Sequence, residues 1–148
     1  AKLALLQAAM ELARRTSCEE LKTGLLIPSS LAVKKFLQLH FAGQQTESFI
    51  ILFLDVQQRL ITCEKMFEGT LTRTSVYPRE IIRRALQNNA AAAIFAHNHP
   101  SGRPEPSALD KSLTKELKRL MDGVEVRLVD HIIVSGSLTW SFHEHGLC

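Results

Sequence analysis

The stretch AAAIFAHNHPSGRPEPSALD (residues 91–110) joins an apolar run to a cluster of polar side chains. The run AAAIFA is short and uncharged, which predicts a buried β-strand. His97 and His99 stand at its end, and a loop with three prolines and one glycine then leads to Ser107 and Asp110. Polar residues on a loop held by a rigid scaffold often bind or catalyse. We therefore expect a functional site where this strand ends.

The spacing of these residues suits a metal ion. In an extended chain residues i and i+2 point to the same side, so His97 and His99 can direct two imidazoles to one point. An extended chain spans about 3.3 Å per residue, so the segment from His99 to Asp110 is long enough to return to the histidines, and its glycine lets it turn. Two imidazoles and one carboxylate suit Zn²⁺, and three protein ligands leave the fourth position open, as in catalytic zinc sites. The sequence thus predicts a catalytic Zn²⁺ site at His97, His99 and Asp110.

The same residues allow a second interpretation. Ser107 and Asp110 precede an apolar stripe at the spacing of a capping box, in which both side chains only satisfy amides at a helix start. Histidines on a loop need no metal to explain them. A stiff loop that returns a helix start to the histidines is harder to explain by capping alone. The two roles are compatible, because Ser107 can cap the helix while Asp110 turns to the metal.

Length and composition limit the class of protein. With 148 residues, 45% of them hydrophobic, the chain can bury one core, and we expect one domain with a small helical addition. The net charge of +3 is too low to indicate nucleic-acid binding by itself. Cys18, Cys63 and Cys148 are widely spaced, which argues against disulfides and a zinc ribbon and favours a reduced, cytoplasmic setting. We expect a soluble protein without a membrane span or an export signal.

The remaining pattern predicts an α/β fold. The predicted helices cover residues 1–15, 31–41, 78–87 and 107–121, and the predicted strands cover residues 49–55, 59–67, 91–96, 124–136 and 138–146. Ser29 or Ser30 would cap the second helix, and residues 70–77 are ambiguous. This order of elements predicts a mixed β-sheet flanked by helices. The apolar faces of the second and third helices are expected at Leu31, Phe36, Leu37, Leu39, Ile81, Ile82, Ala85 and Leu86.

The polar cluster resembles a known motif. His97-x-His99, seven residues, Ser107, two residues and Asp110 match the H-x-H-x(7)-S-x-x-D signature of JAMM (MPN+) metalloproteases. Five strings resemble successive blocks of the bacterial RadC family over residues 28–148: ESFIILFLDVQQRLI, FEGTLTRTSVYPREIIRRAL, HNHPSG, PSALD and DHIIVSG. The resemblance implies an MPN/JAMM fold with a cytidine-deaminase-like layout, in which helices sandwich the sheet. It also implies zinc on the two histidines and Asp110, with Ser107 assisting catalysis.

JAMM enzymes also use a glutamate that lies upstream of the motif. The candidates here are Glu47, Glu64, Glu68 and Glu80. In the family this glutamate stands at the start of an apolar strand, which Glu47 in TESFIILFLD fits. Glu80 is better explained by its place at a helix start, and Glu64 and Glu68 lie in or after the second predicted strand. The resemblance therefore favours Glu47. This assignment rests on the alignment with the family and not on a fixed spacing from the motif.

The resemblance implies a zinc-dependent metallohydrolase that cleaves peptide or isopeptide bonds in a peptide or protein substrate. Zinc lowers the pKa of its bound water to about 7, so hydroxide is available at neutral pH. Glu47 would take the proton and return it to the leaving amine, and Ser107 would donate a hydrogen bond to the oxyanion.

The alternative is a DNA-repair-associated binding module with a non-catalytic zinc. Full-length RadC proteins carry a helix-hairpin-helix segment, and residues 1–27 resemble the end of that region, before a zinc domain at residues 28–148. The mild charge and the lack of a basic stripe interleaved with aromatic residues speak against DNA as a partner.

The other histidines are expected to have structural roles. His131 lies within an apolar run and is predicted to be a core residue or a hydrogen-bond partner of a ligand. His143 and His145 are predicted to lie on the surface. His40 ends a predicted helix and would complement its dipole.

Overall fold

The computed structural model of this chain describes residues 1–23, 30–70 and 76–148. The described residues form four helices and five strands. In chain order these are α1 (Lys2–Thr23), α2 (Ser30–Phe41), β1 (Ser48–Leu54), β2 (Leu60–Glu68), α3 (Pro78–Gln87), β3 (Ala92–Asn98), α4 (Ala108–Asp122), β4 (Arg127–Ser135) and β5 (Leu138–Ser141). The predicted cap at Ser29 and most of the ambiguous segment, residues 71–75, lie outside the described residues.

The five strands form one sheet in the order β2-β1-β3-β4-β5. β1 pairs antiparallel with β2 and β3, and β5 pairs antiparallel with β4. β3 and β4 are parallel, and α4 provides the crossover that such a pair requires. The predicted mixed sheet flanked by helices is therefore confirmed.

Helices cover both faces of the sheet, and this layering places the site. β1 is buried along its whole length, as expected of a central strand. Its alternate residues join two cores, one with α1 and α2 and the other with α3 and α4. In β3 the residues Ala93 and Phe95 belong to the core with α4. Because side chains alternate along a strand, His97 faces α4 as well.

α1 is longer than predicted, because it ends at Thr23 and not at residue 15. Its exposed turns carry ion pairs at helical spacing, such as Lys22 with Glu19. Its last turn buries Leu21 in the core beside α2. The prediction followed apolar spacing and missed this mainly polar extension. Neither α1 nor any other described helix is long and apolar enough to cross a membrane.

The predicted core faces of α2 and α3 are partly wrong. Leu31 and Leu86 are 74% and 56% exposed. The buried stripe of α2 runs through Val33, Phe36, Leu37 and Phe41, and Leu31 lies about 200° around the helix from Val33. Leu86 likewise follows the buried Ala85 and turns away from the core.

The last two strands are shorter than predicted. β4 begins at Arg127, and β5 ends at Ser141, after which residues 142–146 form turns. Buried Asp130 holds these turns, because its carboxylate accepts hydrogen bonds from Ser141 Oγ at 2.6 Å and from His143 N at 2.9 Å. The hydrogen bonds of Asp130 thus favour turns over residues 142–146, where the sequence pattern had predicted a strand.

Candidate metal centre

The end of β3 and the start of α4 bring together three side chains that could hold a metal ion. One ligand atom from each of His97, His99 and Asp110 lies within 4.8 Å of the other two. His97 Nε2 is 3.3 Å from Asp110 Oδ1, and His99 Nε2 is 3.6 Å from Asp110 Oδ2. The predicted return of the loop towards the histidines is therefore present in the structure.

The capping box predicted as an alternative is also present. Ser107 is the N-cap of α4, and its Oγ accepts a hydrogen bond from Asp110 N at 3.1 Å. Asp110 Oδ2 accepts in return from Ser107 N and from Ser107 Oγ, both at 2.7 Å. One oxygen of Asp110 therefore serves the cap, while the other faces His97.

The site is buried on one side and open on the other. The side chains of His97 and Asp110 are 0% and 4% exposed, and that of His99 is 13% exposed. Burial disfavours a charged Asp110, but the interactions with the neighbouring His97 and His99 imidazoles and with Ser107 outweigh it and hold the pKa of this carboxyl well below its usual range. The bond to Asp110 in turn raises the pKa of His99. The carboxylate is therefore ionised and available to a cation.

The remaining ring nitrogens of the two histidines have partners too. His99 Nδ1 lies 2.9 Å from the carbonyl oxygen of Arg103 and donates to it, because a carbonyl only accepts. His97 Nδ1 lies 2.8 Å from Nε2 of the buried His131. Such contacts on the far nitrogen are typical of histidines that hold metals. The donor set and its surroundings fit a zinc ion, with His97 Nε2, His99 Nε2 and Asp110 as the atoms that would hold it.

Glu47 lies one residue before β1, next to the cluster. β1 and β3 pair with Phe49 opposite His97, and continuing that register by two residues brings Glu47 opposite His99. The charge of Glu47 also helps to raise the pKa of His99, after the larger effects of Asp110 and of the Arg103 carbonyl. Glu47 is half-buried, and it lines a groove that Pro100 also lines.

The other candidate glutamates have partners elsewhere. Glu64 binds Arg84 and Asn88 and so ties β2 to α3. Glu68 binds Lys65 and lies in β2, one strand further from β3 than β1. Glu80 pairs with Arg83 in the first turn of α3. Of the four, Glu47 is the one whose charge acts on His99, and its catalytic role stays a prediction.

Asn98, between the two histidines, is a residue that the sequence did not single out. Its Oδ1 accepts from Ser48 N at 2.7 Å, and its Nδ2 donates to the carbonyl oxygen of Thr46 at 2.9 Å. These two bonds hold the backbone on both sides of Glu47. The available signal was an asparagine at a strand end, where a buried amide needs partners.

Two open grooves flank the cluster. One has a volume of about 360 Å³ and lies between the end of α2, His99 and the turn at residues 134–136. The other, of about 430 Å³, lies beside Glu47. Both are lined by Gln45 and Pro100, so the two grooves are neighbours.

The remaining histidines largely match their predictions. His131 is 1% exposed and bonds to His97, so its predicted core or ligand-partner role is confirmed. His143 and His145 are exposed. The prediction for His40 is wrong, because burial lowers its pKa to about 4 and leaves no positive charge for the helix dipole at pH 7. Among the described residues, its Nε2 is a buried nitrogen without a hydrogen-bond partner.

Comparison with known proteins agrees with the geometry. The RadC-like JAB domain family matches residues 27–147. The chain is 58% identical over 146 residues to a UPF0758 protein of Herminiimonas arsenicoxydans and 56% identical over 146 residues to one of Janthinobacterium sp. (strain Marseille). Each match covers 99% of this chain and 65% of the relative, so the chain spans somewhat less than two thirds of these proteins.

Proposed function

Because this chain belongs to the family of RadC-like JAB domains, we propose that it is a zinc-dependent hydrolase that cleaves an amide bond in a peptide or protein. One observation carries the proposal. Two imidazoles and one carboxylate, contributed by a strand end and a helix start, converge within 4.8 Å. This donor set is the one that zinc enzymes use when a fourth position is kept for catalysis.

A zinc ion in such a site acts as a Lewis acid and makes water a usable nucleophile near neutral pH. The protein's part is to fix the ligands and to move protons. Asp110 is held by its capping bonds and His99 by the Arg103 carbonyl, so neither ligand has to be ordered when the ion binds. Preorganised ligands of this kind favour tight binding.

Glu47 is the proposed general base. Its position opposite His99 supports a role at the open side of the cluster, where it would take a proton from the attacking water and pass it to the leaving amine. Asn98 supports this role, because it bonds to the backbone of both residues that flank Glu47. A base whose backbone is held on both sides loses little entropy when it engages the substrate.

Ser107 is the proposed donor to the developing oxyanion. Its hydroxyl has one proton, which it now donates to Asp110 Oδ2. The hydroxyl would turn from Asp110 to the substrate oxygen as negative charge builds there, and such a donor is worth roughly 3 kcal/mol in comparable sites. The two neighbouring grooves, both lined by Gln45 and Pro100, support an extended peptide as the substrate.

The test combines metal analysis with an activity screen on the same preparation. We expect about one zinc ion per chain, and cleavage of members of a peptide and isopeptide library. A chelator should abolish cleavage, and added zinc should restore it. A preparation that binds no zinc when zinc is supplied would contradict the proposal. Salt-sensitive binding to duplex DNA, without any chelator-sensitive cleavage, would favour the binding-module alternative instead.

A further inference from the structure

We infer that Thr114 and His131 are positioning residues that set the tautomer of His97, so that its Nε2 is left without a proton and faces the metal position. The inference rests on the proposed function, because it assigns a role at the same metal site. Neither residue belongs to the three-ligand cluster. Both act through a chain of hydrogen bonds.

The chain of hydrogen bonds starts at one ligand and ends at another. His97 Nδ1 lies 2.8 Å from His131 Nε2. The other nitrogen of His131, Nδ1, lies 2.6 Å from Thr114 Oγ1. Thr114 Oγ1 in turn lies 2.6 Å from the backbone carbonyl oxygen of Asp110. All the side chains along this path are buried, so water does not compete for the bonds.

Counting protons along this path gives each group one role. The Asp110 carbonyl can only accept, so the single hydroxyl proton of Thr114 is donated to it. Thr114 Oγ1 must then accept from His131, which places the proton of His131 on Nδ1. A neutral imidazole has only one N–H, so His131 Nε2 accepts and His97 Nδ1 donates. In a neutral His97, Nε2 is therefore the nitrogen without a proton, and its lone pair is directed to the cluster, where His99 Nε2 lies at 2.9 Å and Asp110 Oδ1 at 3.3 Å.

The count requires a neutral His131, and its surroundings provide this. The ring is stacked on Phe142 with centroids 4.7 Å apart and makes edge contacts with Phe49 and Phe95. Transfer of a charged imidazole into such an apolar enclosure is unfavourable. A protonated His131 would instead donate to His97 Nδ1 and move the His97 proton to Nε2, the atom that has to bind the metal.

Both histidines need an unprotonated Nε2 to hold a metal, and they would reach this state by different means. The Arg103 carbonyl oxygen accepts from His99 Nδ1 directly. For His97 the acceptor is Nε2 of His131. That nitrogen can accept only while the proton of His131 stays on Nδ1, where Thr114 accepts it. Thr114 therefore controls the metal-binding nitrogen of a residue that it does not contact.

The test compares Thr114→Val with Thr114→Ser. Valine has nearly the same shape but no hydroxyl, whereas serine keeps it. We expect Thr114→Val to weaken zinc binding by roughly 10–100-fold in a competition titration with a chromophoric chelator, and Thr114→Ser to restore most of it. Thr16→Val is the matched control, because Thr16 Oγ1 also donates to the carbonyl four residues earlier, at 3.0 Å, but in exposed α1.

A second measurement reads the tautomer without metal. In long-range ¹⁵N–¹H spectra of the ¹⁵N-histidine-labelled, zinc-free protein, we expect His97 to carry its proton on Nδ1 in wild type and in Thr114→Ser. In Thr114→Val both tautomers should be populated. This readout would not respond to a purely structural role of Thr114.

Each outcome decides between the claims. Full zinc affinity in folded Thr114→Val, or a wild-type His97 protonated on Nε2, would overturn the inference. If wild type failed to bind zinc, the proposed function would fail, and the tautomer spectra would still decide whether Thr114 and His131 control His97. Should Thr114→Val not fold, Thr114→Ala and the wild-type spectrum provide the same test.

Discussion

At the scale of single residues, Asp110 shows how one carboxylate can have two roles. Its Oδ2 accepts from Ser107, and its Oδ1 faces His97 at 3.3 Å. The cap therefore orients the carboxylate for the metal position and does not compete with it. The capping interpretation is confirmed, and the same side chain leaves one oxygen for the metal that the other interpretation predicts.

Glu47 and Asp110 should respond differently to substitution. Glu47→Gln keeps size and hydrogen bonding but removes the base, so zinc content should stay near wild type while hydrolysis falls by roughly 10²–10⁴-fold. Asp110→Ala and His99→Ala should lose the metal, because two remaining ligands make a poor site. Zinc content and cleavage rate are measured on the same samples.

Glu68→Gln is the matched control, since Glu68 lies opposite Ser48 in β2 and is exposed. It should leave both quantities near wild type. If Glu47→Gln kept full activity, the general base would be another residue. If Glu47→Gln lost its zinc, Glu47 would be a metal ligand.

Asn98→Ala should lower hydrolysis without changing zinc affinity, because Asn98 supports Glu47 and not the metal ligands. It removes the hydrogen bonds of Asn98 with Ser48 and with the Thr46 carbonyl and leaves the buried Ser48 N without its acceptor, at a cost of about 2 kcal/mol in the free energy of unfolding. Zinc affinity should change little, while hydrolysis should fall as Glu47 loses its fixed place. Ser48→Ala, which keeps the backbone donor, is the control. Unchanged hydrolysis in Asn98→Ala would contradict this role.

At the scale of elements, the site depends on the start of α4. Ser107→Ala removes the N-cap and should lower the free energy of unfolding of the zinc-free protein by about 1 kcal/mol. For a chain of this size that corresponds to a fall in melting temperature of roughly 2–4 °C.

Ser112→Ala, in the same helix, is the comparison for Ser107→Ala. Its hydroxyl donates to the Leu109 carbonyl and caps no amide, so the effect of its loss should be smaller. Equal melting temperatures of the two variants would show that the cap contributes little to α4.

At the scale of the whole molecule, bound zinc should stabilise the fold. A ligand that binds only the folded state at 100 times its dissociation constant adds about 2.7 kcal/mol. We expect a rise in melting temperature of roughly 5–10 °C over the chelator-treated protein. Asp110→Ala should show no such rise, and an equal rise in that variant would place the zinc elsewhere.

Stability should also depend on pH through His40. Burial lowers its pKa to about 4, whereas the unfolded chain takes up the proton near pH 6.5. Between these values the unfolded state binds more protons, so stability is complete above about pH 6.5 and falls by up to about 3 kcal/mol as the pH drops to 4.

Urea unfolding of zinc-free His40→Leu at pH 7 and pH 5 should show a smaller loss of stability than wild type. Some loss should remain, because burial also lowers the pKa of His131. An identical loss in both proteins would show that His40 does not contribute to the pH dependence.

Local patterns in the sequence were sufficient for much of this protein. The continuous apolar runs determined β1 and β3, the Ser107 cap and its apolar stripe determined α4, and the order of elements determined a mixed sheet between helices. The three-ligand cluster was also predictable, because the alternation of a strand and the reach of a short loop constrain His97, His99 and Asp110 within one stretch of chain.

Only the tertiary structure decided the features that join distant parts of the chain. The end of α1 depends on the burial of Leu21 against α2, and the exposure of Leu31 depends on how α2 is rotated. Asn98 meets Thr46 and Ser48 because β1 and β3 are paired, and His131 meets His97 because β4 lies parallel to β3, with Phe95 opposite His131. Strand pairing is non-local, so residues 34 positions apart become hydrogen-bond partners without any local signal of their contact.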